Sequence, residues 1–278
     1  MHFALDVSRN ILILRCAMPS TLTPGVITTG VILGIVTSLW LRKKATTSST
    51  SSSSSPEAFV PQFVTGDFQP QRVFLPDREY GLALDALVKA CSDILIVSAD
   101  GKKVLLGKRK VEPQPDWWFI GGRAKPGDTT RSAASRNVKR ELGLDVTPNR
   151  FKAIATYSMV WQRRAQPPVE NGTADISTVH VLQLTAAEEA QVVLDPKEYD
   201  ASGYVTLDAV LAGSYHPCLK QAVRDLRKQH ALTALYAAVE AGGDIENDAR
   251  AFIAAHREAT QLQESTRVRF EGGAYVIR

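Results

Sequence analysis

The chain has 278 residues, 44% of them hydrophobic, and a formal charge of +4. That length and apolar content allow a sizeable core in one or two domains. So mild a charge, with no basic tract interleaved with aromatics, points away from a nucleic-acid partner. Cys16, Cys91 and Cys218 form no CxxC pair, and the five histidines are scattered, so neither a disulfide framework nor a zinc site is expected.

Residues 22–41 (LTPGVITTGVILGIVTSLWL) carry no charge. As a helix they would rise about 30 Å, the thickness of a bilayer core. Trp40 stands at the end of the run, and Arg42, Lys43 and Lys44 follow it. This pattern predicts a single-pass membrane anchor with the downstream domain facing the cytosol, although Arg9 and Arg15 on the other flank oppose that orientation. A cleaved signal or organelle-targeting segment is the alternative, since residues 1–55 are rich in Ser and Thr and hold Asp6 as their single acid. A buried core helix is the third reading.

Residues 45–56 (ATTSSTSSSSSP) have no apolar surface to bury and read as a linker. An irregular lead-in follows, and residues 80–90 have helical spacing. Residues 93–98 and 103–108 read as strands joined by a turn at Asp100-Gly101, with a third short strand at 117–120. Residues 129–142 read as a helix capped by Asp128 and ended by Gly143. Long strands are expected at 151–162 and 176–185, a short one at 203–207, and a short helix at 207–212.

From about 217 to 260 the pattern is helical, broken at Gly242-Gly243, and residues 267–270 and 274–277 flank Gly272-Gly273 as a hairpin. The expected division is a lead (1–21), an anchor (22–41), a linker and lead-in (42–79), a catalytic-type domain (80–215) and a helical extension with a terminal hairpin (216–278). The expected class is α/β (α+β), with helices packed on a mixed sheet.

The stretch WWFIGGRAKPGDTTRSAASRNVKRELG, residues 117–143, reads as strand, phosphate-handling loop and helix. A diphosphate needs a divalent ion and Arg or Lys to neutralise its oxygens. Arg109, Arg123, Arg136, Glu141 and the carbonyls of Gly121-Gly122 could meet that need. The spacing resembles the Nudix box, the signature of hydrolases acting on a nucleoside diphosphate linked to another group. Counting from Gly122, Arg136, Val138, Glu141, Gly143 and Leu144 match, and Asp128 replaces the first glutamate. Asn137 and Arg140 replace two others.

The GDP-mannose mannosyl hydrolase branch lacks the same two glutamates. The similarity covers residues 93–212 through LLGKR, WWFIGGR, RELGL and DAVLA. It implies a Nudix-type α/β/α sandwich and a Mg²⁺ ion, with Mn²⁺ as a substitute, held by Gly121, Glu141 and Glu198. It also implies diphosphate binding by Arg109 and Arg123, with Arg123 and Glu141 serving catalysis. Arg136 is expected at the substrate or orienting its loop, and Asp93 falls at an early acidic position.

Tyr199 stands where that branch has its catalytic histidine, and a phenol is a poor base at neutral pH. The expected substitutes are Asp200 or His216, with metal-activated water or lost catalysis as the other outcomes. Two functions therefore follow from the sequence. One is a Mg²⁺-dependent hydrolase of a nucleotide sugar or similar nucleoside diphosphate derivative. The other is a non-catalytic Nudix-fold module, suggested by Asn137, Arg140 and Tyr199. The expected partners are a small nucleotide diphosphate substrate and the membrane through residues 22–41, with a homodimer left open.

Overall fold

The structure, a computed structural model, describes residues 59–277 except 72, 263 and 264. The expected anchor at 22–41 and linker at 45–56 lie outside the described residues. Among those described, no helix is long and apolar enough to cross a membrane.

The elements in order are α1 (Asp77–Ala86), β1 (Lys89–Val97), β2 (Lys103–Arg109), β3 (Trp117–Trp118), β4 (Ile120–Arg123) and α2 (Thr130–Leu142). Then come β5 (Lys152–Trp161), β6 (Thr173–Gln183), α3 (Ala186–Glu189), β7 (Tyr199–Thr206), α4 (Leu207–Ala212), α5 (Pro217–Ala241), α6 (Glu246–Ala259), β8 (Val268–Glu271) and β9 (Ala274–Ile277). Strands β3-β2-β1-β6-β5 run in that order, with β7 on β2 and β4 on β1. The β1–β6 pair is parallel and the others antiparallel, so the sheet is mixed as expected.

Side-chain alternation along β1 builds the two halves of the core. Ile94 and Ile96 pack with Ala134, Val138 and Leu142 of α2. Leu95 and Val97 pack on the other side with Val210 of α4 and Leu219, Ala222, Val223 and Leu226 of α5. Helices thus cover both faces, giving the α/β/α sandwich.

Several boundaries differ from the sequence reading. The strand expected at 117–120 is two strands that part at Phe119, because β3 pairs with β2 while β4 pairs with β1. The helix expected at 80–90 sits earlier, and residues from Lys89 onward are drawn into β1 by pairing with β6. β7 starts at Tyr199 rather than 203 because it pairs along all of β2. The long C-terminal helix does break where Gly242 adopts a left-handed conformation.

Asp128 does not cap α2. Thr129 does, its side chain accepting from the Ser132 amide at 3.0 Å. The hairpin β8–β9 docks against the rest of the domain through Tyr275. Its hydroxyl donates to Asp116 Oδ2 and accepts from Gln114 Nε2, both at 2.6 Å. The Asp116 carbonyl in turn accepts from the Arg109 amide at 2.9 Å.

Candidate active-site cleft

The edge of β1 is shared by two strands. Its first half pairs with β4 and its second half with β2. The sheet splays where they diverge, and a cleft of about 450 Å³ opens there, lined by Asp93, Arg109, Gly121, Arg123, Arg140 and Glu198 among others. That size suits a small molecule. A second hollow of about 130 Å³, between α5 and the terminal hairpin, contains none of the box residues.

Gly121 pairs with Asp93. A Cβ at position 121 would lie 2.6 Å from the Asp93 Cα and from the Ser92 carbonyl, so only glycine lets β4 approach this closely. The Gly122 carbonyl accepts from Asn137 Nδ2 at 2.9 Å, and the same nitrogen reaches the Ser92 carbonyl at 3.3 Å. Asn137, fully buried, therefore ties α2 to β1 and β4 where the box has a glutamate.

Asn137, Arg140 and Glu141 share one face of α2 by their three- and four-residue spacing. Glu141 is fully buried. Its Oε2 accepts from the Gly121 amide at 3.2 Å and from the Tyr199 hydroxyl, and its Oε1 accepts from Arg140 Nη2. Burial raises its pKa above the usual carboxylate range, opposed by those hydrogen bonds and the Arg140 charge.

Glu198 is held in place through its backbone. Its amide donates to the Asp195 carbonyl at 3.1 Å, and its carbonyl accepts from the Lys110 amide at 3.0 Å. The Asp195 amide donates to the Glu141 carbonyl at 3.0 Å. The three expected metal ligands thus converge, but on a side chain. Nη2 of Arg140 lies 3.4 Å from the Gly121 carbonyl, in hydrogen-bond contact with Glu141, and 4.0 Å from Glu198 Oε1.

A divalent ion bonds oxygen at about 2.0–2.6 Å. It could not share that point with a guanidinium, and among the described residues no cluster of three or more acidic, His or Cys side chains could hold a metal. The residues as arranged therefore do not fit a divalent ion.

Arg109 and Arg123 both line the cleft as expected, and the Arg123 guanidinium stacks on the Tyr80 ring at 4.7 Å. Asp93 also reaches the cleft. It accepts from the Ser177 hydroxyl at 2.6 Å, and burial pushes its pKa up to about 6.

Three other expected residues do not reach the cleft. Arg136 turns away to pair with Asp128 at 2.7 Å and to donate to the Arg123 carbonyl at 3.1 Å, so it fixes the loop. Asp200 is exposed and faces Lys110 at 3.6 Å, because it follows Tyr199 on a strand and points the opposite way. His216 caps α5, its Nδ1 accepting from the Cys218 amide at 3.1 Å, inside an aromatic cluster with Trp118, Trp161 and Tyr275. Burial lowers its pKa to about 4.

Tyr199 is a hydrogen-bond donor. Burial and the neighbouring Glu141 charge hold its phenol protonated, which removes it as a base. Sequence reasoning noted Arg140 only as a missing glutamate and did not single out Tyr80, Trp161 or Asp175, which also line the cleft. The period-two pattern of β6 is the signal that could have found Asp175, which accepts from Trp161 Nε1 at 2.9 Å and pairs with Lys89 at 2.9 Å.

A family model described as the NUDIX domain matches residues 90–226. Among solved structures, the E. coli dihydroneopterin triphosphate pyrophosphohydrolase is similar at 26% identity over 50% of this chain and 95% of that one, with a TM-score of 0.39. A MutT NUDIX hydrolase from Burkholderia pseudomallei is similar at 19% identity over 50% and 98%, with a TM-score of 0.41. The NUDIX domain of Shewanella oneidensis NrtR, complexed with ADP ribose, is similar at 13% over 56% and 99%, with a TM-score of 0.40. TM-scores this low add no weight, so the assignment rests on the family model together with the sandwich and the box geometry. Residues 90–226 are thus similar to the Nudix domain, and the mixed sheet with helices on both faces fits that fold.

Proposed function

We propose that the cleft binds a nucleoside diphosphate joined to a second group, with nucleotide sugars as the leading class. The observation that carries this reading is the grouping of Arg109, Arg123 and Arg140 on one small-molecule-sized cleft beside Gly121 and Gly122 of β4. Three guanidiniums suit the dispersed negative charge of a diphosphate. The bond to the GDP-mannose hydrolase branch is part of the proposal and rests on the two missing glutamates and the motif order.

Hydrolysis of that ligand is the second reading, favoured by the convergence of the Gly121 carbonyl, Glu141 and Glu198. With Arg140 in place that set does not fit a divalent ion. Glu141 is spoken for by three donors, and neither Asp200 nor His216 is placed to act as a base.

Calorimetry of the full chain with a panel of nucleotide sugars and nucleoside diphosphates, paired with product analysis in Mg²⁺ or Mn²⁺, separates the two. Binding without turnover supports a sensing or interaction module. Turnover abolished by chelator supports the hydrolase, and no binding across the panel overturns both.

Anchoring by residues 22–41 is kept as a proposal supported by their uncharged run and flanking basic residues. Extraction of the full chain from membranes by alkaline carbonate would sink it.

A further inference from the structure

One nitrogen of Arg140 stands within 4.0 Å of oxygens from three separate segments: the Gly121 carbonyl of β4, Glu141 of α2 and Glu198 of the loop before β7. The side chain is about half exposed, while Glu141 is fully buried beneath it. Without a cation at this point, the two carboxylates would repel each other, and Glu141 would be a charge buried beside a carbonyl. The guanidinium supplies that cation from the chain itself. Its position on α2 also matters: only one helical turn separates it from Asn137, which anchors the same face to β4.

We infer that Arg140 is the resident cation of this cleft, occupying the point where a divalent ion would sit and making ligand binding independent of such an ion. The inference rests on the ligand class proposed above for its second half only. The cation position itself is defined by the protein's own oxygens. The outward edge of the guanidinium lines the cleft beside Arg109 and Arg123 and is placed to meet an anionic ligand.

The test uses Mn²⁺ alone, followed by electron paramagnetic resonance on the full chain, with Arg140→Ala, Arg140→Glu and Arg140→Lys variants checked for folding by thermal melts. The native chain and Arg140→Lys should hold no stoichiometric Mn²⁺. Arg140→Ala or Arg140→Glu should gain one Mn²⁺, at least roughly tenfold tighter than native. A native chain that binds one Mn²⁺ as tightly as the variants would overturn the inference, as would folded Ala and Glu variants that gain none.

A second measurement titrates GDP and ADP with and without chelator. Native affinity should not move, whereas that of Arg140→Ala should become Mn²⁺-dependent. Native affinity that falls with chelator counts against Arg140. Because the Mn²⁺ titration contains no nucleotide, a gained metal site with no nucleotide binding would refute the ligand class and leave the cation assignment standing.

Discussion

The two faces of α2 obey different rules. One face carries Ala134, Val138 and Leu142 into the core beneath β1, where each is fully buried among aliphatic neighbours. The other carries Asn137, Arg140 and Glu141 against Gly121 and Gly122 of β4, to which hydrogen bonds join it. The apolar face stabilises through area removed from water and tolerates changes of shape that keep volume. The polar face depends on each partner being present, because a buried carboxylate or carbonyl left without its donor costs more than the hydrogen bond returned. Helix formation is thus secured by one face, leaving the other free to carry chemistry.

The largest expected effect falls on the apolar face. Leu142→Ala should lower unfolding free energy by about 2–5 kcal/mol in urea titrations, while the folded fraction keeps its ligand affinity. A selective loss of affinity at unchanged stability would break the division between faces. On the polar face, Asn137→Ala strands the Gly122 and Ser92 carbonyls and should cost about 1–3 kcal/mol by the same titration. A neutral result would show that water replaces the amide freely.

A pH series sharpens the boundary between the faces. His180 is fully buried beside Thr130 at the start of α2, and burial lowers its pKa to about 4. His216 is lowered to about 4 in the same way. The unfolded chain binds protons at these sites first. The histidine contribution is therefore complete above about pH 6.5 and is lost as pH falls from there toward 4, by about 1–3 kcal/mol per histidine, while Asp93, raised to about 6 by burial, works in the opposite direction over the same window. Across that window, denaturant midpoints of His180→Gln should fall less with acid than those of the native chain.

Arg123→Ala should have the smallest effect on stability, within about 0.5 kcal/mol, since the side chain is exposed. It should still weaken nucleotide binding roughly tenfold by calorimetry. Arg136→Ala should affect affinity less, through a looser loop.

Much of this was legible in the sequence, for a physical reason. The helical pattern at 129–142 and the strand-like apolar run at 93–98 are local patterns imposed by burial, and both reappear in the sandwich. The parting of β3 and β4 at Phe119 was not legible, because it depends on which distant strand each half pairs with. Glu141 and Gly121 were singled out through the resemblance to the Nudix box. Arg140 was seen only as an absent carboxylate, since a sequence shows which charge is present but not where a long side chain ends. The positions of Asp200 and His216 were misjudged because nearness to Tyr199 or to a helix start says nothing about which way a side chain faces.

The family match stops at residue 226, yet the folded unit does not. Tyr275 pegs Gln114 and Asp116, and the segment between β2 and β3 that holds them also supplies Val111, Glu112 and Pro113 to the cleft wall. A protein shortened at the family boundary would keep its box and lose the peg, leaving one rim slack. Anyone trimming this chain to a minimal working piece should count residue 277, not 226, as its far end.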